Sequence, residues 1–359
     1  MKVAIIGLGS VGETCAHLLV SRTNVRSLVL ANRSTGIAEA IRMDLEQSRA
    51  WGVPLSARVC EPWTRNAFAG CDVIILAAGP RLRGGEKRDE KAAEAAKLLL
   101  GKPGESVVEA LAQHATTERE REAPRDERSI LLVVTNPVEG IVTWLAERAS
   151  WDRGRIIGLG TTVESARFSR MLADRLNVDA GSVWTEIIGE HGKQIELRDA
   201  EATRRRVRDL GREVDLEQLL DRTRSAAAEI RAYSEAAGND KAQRLLRRIG
   251  VEEPLRTQLE PELAAALCPP ATRFAIAASA VEVVEAIASD RGRVLPVSGF
   301  AGIEGLPDVA LAVPLVLARA GVIRSGRLQP TDVLRAAAAS VQAQVEAMRR
   351  VADAGAHSG

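Results

Sequence analysis

The chain has 359 residues, with 49 Lys and Arg against 48 Asp and Glu and a formal net charge of +1. This length allows one large or two medium cores, and the balanced, scattered charge argues against a nucleic-acid groove or a polybasic membrane patch. No apolar run approaches the roughly 20 residues of a membrane span. Cys15, Cys60, Cys71 and Cys268 are far apart, with no C-x-x-C pair. With an N-terminus that runs straight into an apolar strand, they predict a reduced cytoplasmic protein without a cleaved leader.

The first six residues read as a buried parallel strand. Gly7-Leu8-Gly9-Ser10-Val11-Gly12 follows at once, then a helical run from Glu13 to Val20. Strand, G-x-G-x-x-G, helix is the context that makes this motif a dinucleotide site, because the opening helix presents its free N–H groups to a pyrophosphate. Further strands are expected at 27–31, 55–59, 73–77, 130–135 and 155–158, as apolar runs suited to a sheet covered on both faces. The expected fold is α/β, a Rossmann-type doubly wound parallel sheet over residues 1–158. The charge-dense segment at about 101–128, with Thr117-Glu-Arg-Glu-Arg-Glu122, reads as a solvated helix–loop insertion.

A mixed α/β (α+β) substrate and catalytic domain is expected over 159–359. It should hold an amphipathic helix at 164–176, a strand at 183–188, and highly charged helices over 200–267. A small-residue helix at 271–289 and antiparallel strands at 293–298 and 309–316 should follow. Pro296 and Pro314 should mark edges or bulges in those strands. A helix from 331 to about 351 closes the chain.

Two blocks in this half carry chemistry: Val163-Glu164-Ser165-Ala166-Arg167 and Ile188-Gly189-Glu190-His191-Gly192. Together they supply a carboxylate, an arginine and a histidine, the parts needed to reduce a keto acid. Glu164 and Arg167 are three residues apart and so share a helix face.

These segments resemble the lactate/malate dehydrogenase family, in family order along nearly the whole chain. The matches are Gly7-x-Gly9-x-x-Gly12, Met43-Asp-Leu45, Ala78-Gly79 with Arg88, Thr135-Asn136-Pro-Val138, Glu164-Ser-Ala-Arg167-Phe, Gly189-Glu-His191-Gly192, Thr272 and Val294-Leu-Pro-Val-Ser298. The resemblance implies a soluble NAD(P)-dependent oxidoreductase interconverting a 2-oxo and a 2-hydroxy acid, assembled as a homodimer or homotetramer. Pairing would run partly through the helix at 164–176, whose Phe168, Met171, Leu172 and Leu176 suit an ordinary core face equally well.

His191 would be the proton donor and acceptor, with Glu164 holding its tautomer and stabilising the imidazolium. Arg167 would clasp the substrate carboxylate with its planar fork. Asn136, at a strand's C-terminal end, would serve substrate and nicotinamide, and Thr272 would also contact substrate. Arg88, on a loop that closes, would polarise the carbonyl. Gly7, Gly9, Ser10, Val11, Gly12, Ala78 and Gly79 would line the cofactor. Each residue also has a plainer reading, as a surface Glu or Arg, a turn-forming Asn-Pro or a solvated basic loop.

Three positions depart from the family. Leu82 stands where lactate enzymes carry Gln and malate enzymes Arg, although a one-residue shift would put Arg81 or Arg83 there. Glu164 replaces the usual Asp, and Lys193 replaces the Asp after Gly-Glu-His-Gly. The cations Arg81, Arg83, Lys87 and Arg88 favour an anionic substrate, and suit an acid with a second acidic group better than plain lactate. Where a carboxylate would mark NAD, the second strand ends in Asn32-Arg33-Ser34-Thr35. Asn removes the charge that would repel a 2′-phosphate, so these residues lean toward NADP(H) over NAD(H). No cluster has metal-ligand spacing. Two other readings are a nucleotide-binding pseudoenzyme of the same fold and an NAD- and metal-dependent glycosidase, which the Gly-Glu-His-Gly block disfavours.

Overall fold

A computed structural model describes residues 1–22, 25–49, 54–64, 66–80, 88–124, 127–248, 252–253, 256–261, 272–325 and 328–356, with Arg88, Arg324, Ser325 and Ala356 described in backbone only. The first half alternates strand and helix as expected. The elements are β1 (Lys2–Ile6), α1 (Ser10–Arg22), β2 (Ser27–Ala31), α2 (Thr35–Ser48), β3 (Ser56–Cys60), β4 (Val73–Leu76), α3 (Arg88–Leu100), α4 (Val107–Glu120), β5 (Ile130–Val133), α5 (Val138–Arg148) and β6 (Ile156–Gly158). These six strands are parallel in the order β3-β2-β1-β4-β5-β6, so the chain reverses direction across the sheet between β1 and β4. Ligands of open α/β sheets bind in the crevice at such a switch point, beyond the strands' C-terminal ends.

Past Lys2 and Ser27 at their starts, β1, β2, β4, β5 and β6 are apolar because both faces are covered, whereas the edge strand β3 exposes Ser56 and Arg58. Val3, Ile5, Leu28, Leu30, Val73, Ile75, Ile130 and Leu132 pack with α1 and α2 on one face. Ala4, Ile6, Val29, Ile74, Leu76, Leu131 and Val133 pack with α3, α4 and α5 on the other. Successive side chains point to opposite faces, so a strand buried on both sides has no polar position to spare.

The expectation of a solvated insertion at 101–128 fails for α4. Ser106 caps this helix by accepting the Glu109 N–H at 3.2 Å, and Val107, Val108, Leu111 and Ala115 are buried against the sheet. Its other face is exposed, at Glu109, Gln113 and Thr116 and at the distal Arg119 and Glu120; the charge run masked an apolar face at helical spacing.

The second half extends the same sheet. Its elements are α6 (Thr162–Leu176), β7 (Ile187–Gly189), β8 (Ile195–Leu197), α7 (Ala200–Asp209), α8 (Leu216–Arg248), α9 (Arg273–Ser289), β9 (Arg293–Gly299), β10 (Leu311–Ala318), β11 (Gly321–Ser325) and α10 (Asp332–Ala356). β9 joins β6 antiparallel at Ser298↔Gly158, and β10 pairs with β9, β7 and β11. Pro296 and Pro314 are not at edges: they face each other as register partners inside the β9–β10 ladder. The Pro296 carbonyl points out of this pair, accepting the Thr162 hydroxyl at 3.1 Å, which places the prolines where neither needs to donate across the ladder. The irregularity in β10 comes two residues later, between Val316 and Leu317. On α6, Phe168, Leu172 and Leu176 are buried with β7, β8 and α8 in a third core cluster, so this face serves the interior of the chain.

Candidate active site

The glycine loop is shaped by contacts that side chains would break. Gly7 has φ +90°, and a Cβ there would lie 2.6 Å from the Ala78 Cα. A Cβ on Gly12 would run into the Gly7 carbonyl, while one on Gly9 would meet nothing within 4 Å. Gly7 and Gly12 thus close the turn against β4, and Gly9 leaves an open cradle at the N-terminus of α1. Ser10 and Val11 form its first turn. The exposed Gly79 forms the opposite wall, where Thr135 fastens β5 to β4 by donating to the Leu76 and Ala78 carbonyls at 3.1 and 2.8 Å. Asn136 follows in the same turn, half-buried, through a cis peptide to Pro137 at the head of α5. An open glycine cradle at a helix N-terminus beside the switch point fits a dinucleotide pyrophosphate.

At the end of β2, Asn32 accepts the Leu8 N–H at 3.2 Å and donates to the Ser34 carbonyl at 3.0 Å. Its amide therefore ties the glycine loop to the next turn. Arg33 and Ser34 are exposed, and α2 starts at Ser34 with no side-chain cap and no acidic residue in its first turn.

His191 and Glu164 meet although 27 residues separate them: Nδ1 lies 3.0 Å from Oε2 and 2.9 Å from Oε1 of the carboxylate. Glu164 sits in the first turn of α6, and serines on that helix stitch it to the β7 segment. Ser165 Oγ accepts the Ile187 N–H at 2.9 Å, and Ser169 Oγ accepts the Thr185 N–H at 3.0 Å and hydrogen-bonds the Thr185 hydroxyl at 2.8 Å. Thr161 donates to the Ile187 carbonyl from the turn before α6. Ser165 lies inside the Glu164–Arg167 block and Thr161 and Ser169 flank it, but sequence reading gave none of the three a role. They bring the helix close enough for the longer Glu side chain to bond the ring in place of the family's Asp.

Burial pushes the Glu164 carboxyl up. The His191 imidazole, its own backbone N–H and the nearby Arg167 cation outweigh this and leave it below its ordinary value. A carboxylate held ionised places the proton on Nδ1, since a neutral ring donates from only one nitrogen. Arg167 lies one turn further along the same face, half-buried, with its basicity lowered by burial and partly restored by Glu164. Among the described residues no carboxylate lies within hydrogen-bonding reach of its guanidinium, leaving the planar fork unmatched beside the His–Glu pair. Lys193 is exposed two residues past His191, and Thr272 is half-buried at the start of α9 with φ +55°. Arg81, Leu82 and Arg83 lie outside the described residues, as does the side chain of Arg88, whose backbone begins α3.

Comparison with known proteins points to one family. The profile described as lactate/malate dehydrogenase, NAD binding domain, matches residues 1–158. The L-lactate dehydrogenase of Gloeobacter violaceus is 30% identical over 329 residues, covering 90% of this chain and 85% of the relative. The malate dehydrogenase of Chloroherpeton thalassium is 26% identical over 326 residues, covering 90% and 89%. Among solved structures, the apo malate dehydrogenase of Picrophilus torridus superposes with a TM-score of 0.73 at 23% identity, covering 100% of this chain and 99% of that one. The lactate dehydrogenase of Eimeria maxima with NADH and oxamate gives 0.74 at 19%, covering 99% and 95%. Lactate and malate enzymes match about equally, so the likeness does not choose between the two substrates. The chain belongs to the lactate/malate dehydrogenase family, its first 158 residues match that family's NAD-binding domain, and it is a dehydrogenase acting on a CH–OH group.

Proposed function

We propose that this protein interconverts a 2-oxo acid and a 2-hydroxy acid, with His191 as proton donor and acceptor and Arg167 as carboxylate anchor. The observation that carries the reading is the His191–Glu164 pair with Arg167 beside it on one face of α6, its fork bonded to no carboxylate among the described residues. A bound nicotinamide supplies or accepts the hydride. The residues do the rest. Arg167 orients the acid by two parallel hydrogen bonds. With Nδ1 committed to Glu164, His191 gives the proton from Nε2 to the carbonyl oxygen during reduction and takes it back during oxidation. Glu164 stabilises the imidazolium between these events. Asn136 and Thr272 contact the substrate, and Arg88 polarises the carbonyl from the head of α3.

The substrate we assign is a 2-oxo acid with a second acidic group. Lys193 beside His191 and the cations Arg81, Arg83 and Arg88 support it, as does Leu82 in place of the residues typical of lactate and malate enzymes. The coenzyme we assign is NADP(H). Asn32 presents no negative charge to a 2′-phosphate, Arg33 and Ser34 are exposed beside it, and the first turn of α2 has no carboxylate to compete.

Binding of NADPH against NADH, followed by turnover of a panel from pyruvate and oxaloacetate to bulkier and phosphonylated 2-oxo acids, tests the proposal. Expected are tighter NADPH binding and turnover of a diacid, with kcat falling by about 10²- to 10⁴-fold in His191→Ala. Coenzyme binding without turnover of any member would favour a nucleotide-binding pseudoenzyme. Equal or tighter NADH binding would remove the assignment to Asn32 and Arg33.

A further inference from the structure

His191 sits at the tip of a hairpin that has little rigidity of its own. Its strands, β7 and β8, are three residues each, and the tip is exposed from Gly192 to Lys193. So short a hairpin is marginal by itself, yet proton transfer needs the imidazole held to a fraction of an ångström. Glu164 fixes the ring only at Nδ1. The backbone that carries the ring must be fixed by something else.

Two fully buried carboxylates stand at that backbone. Glu139, in the first turn of α5, accepts the His191 backbone N–H at 3.1 Å, and the same oxygen accepts the Ser298 hydroxyl of β9 at 2.8 Å. Glu190, the preceding residue, accepts the Gln344 side-chain amide of α10 at 2.9 Å. Gln344 reaches it by crossing α5 at Gly140, where an added Cβ would lie 2.7 Å from its Oε1. A glycine inside a helix is unfavourable by about 1 kcal/mol against alanine, and here it makes room for that crossing. Burying a carboxylate is also unfavourable unless it is hydrogen-bonded, and the hydrogen bonds to Glu139 come from the turn that bears the histidine and from β9.

We propose that Glu139, oriented by Ser298, is a positioning residue that mounts the backbone of His191, with Gln344 and Glu190 bracing the turn from the C-terminal helix. This rests on the reading of His191 as the acid–base group. The mount works through hydrogen-bond acceptance, so Glu139→Gln should preserve it and Glu139→Ala should not.

Two measurements on the full-length protein test this. The first is the low-field proton resonance of a hydrogen-bonded imidazole Nδ1–H, assigned by its loss in His191→Asn, which requires no substrate. The second is kcat and KM with NADPH and the best 2-oxo acid of the wild type. In Glu139→Ala the resonance should be lost, and kcat should fall by about 10- to 100-fold with the KM for coenzyme unchanged. In Glu139→Gln the resonance should remain and kcat should stay within about threefold of wild type. Gln344→Ala should lower kcat by about three- to tenfold, and it keeps the test open if Glu139→Ala does not fold. An unaltered resonance and kcat in Glu139→Ala, or in Gln344→Ala where the first variant does not fold, would overturn the proposal. So would a Glu139→Gln variant as impaired as Glu139→Ala. If wild type reduces no 2-oxo acid, the function proposed above fails by itself, while the resonance still decides the mount.

Discussion

Glu164 is where burial and charge oppose each other most directly. Its carboxyl is almost fully removed from water yet stays below the ordinary value near 4.5, because the imidazole, a backbone N–H and Arg167 favour the ionised form more than burial disfavours it. A group whose folded pKa is depressed adds stability that is fully present above the unfolded value and is lost as pH falls through the folded one. The stability advantage of wild type over Glu164→Gln should therefore shrink as pH is lowered from about 5, the region where a free carboxyl begins to take up its proton. Urea midpoints measured for both proteins at intervals between pH 5 and pH 3 check this. An advantage that grows toward acid would mean the carboxyl is protonated in the folded state. The sequence marked Glu164 and His191 as partners through their blocks. It assigned no role to Ser165, Ser169 and Thr161, which tie α6 to the β7 segment, because small hydroxyl residues look alike whether they face water or a neighbouring strand.

At the scale of elements, α4 corrects a reading based on charge. Thr117 to Arg128 is dense in Glu and Arg, and charged runs of this kind usually lie on a solvated surface. The helix nonetheless buries Leu111 completely in the cluster formed with α3, α5 and the sheet. Leu111→Ala should cost about 2–5 kcal/mol of unfolding free energy, as for other fully buried leucines. Denaturant unfolding followed by circular dichroism measures it, and a change under about 0.5 kcal/mol, the size expected for a surface site, would return the segment to the surface. Strands β1, β2, β4, β5 and β6 were far easier to read. A strand covered on both faces is a continuous apolar run, and its bounding turns end it sharply.

For the whole molecule, the question is how copies of the chain meet. The apolar face of α6, Phe168, Leu172 and Leu176, is committed to α8 and the β7–β8 hairpin, so these three side chains are not an exposed apolar surface. Ile37 and Met43 are large apolar side chains about half exposed on α2, and they offer one. We expect a homodimer or homotetramer of the 38.5 kDa chain, with assembly weakened in Ile37→Glu with Met43→Glu. Sedimentation equilibrium distinguishes the states, and a monomer at micromolar concentration would remove the expectation.

The sequence by itself determined the parallel sheet, the glycine loop and the family, and it named the residues proposed as acid–base and carboxylate anchor. Each of these is written in local periodicity or in a short block. Only the tertiary structure decided what stands around them. The β9–β10 ladder accommodates Pro296 opposite Pro314 because their carbonyl and missing N–H face outward from the pair, a property of register that neither strand carries alone. The mount of His191 draws on α5, β9 and α10 at Glu139, Ser298 and Gln344, separated from the histidine by 52 to more than 150 residues. A hydrogen bond reaches only about 3 Å, so which of the chain's many carboxylates and amides comes within that distance is settled by how the helices stack on the sheet.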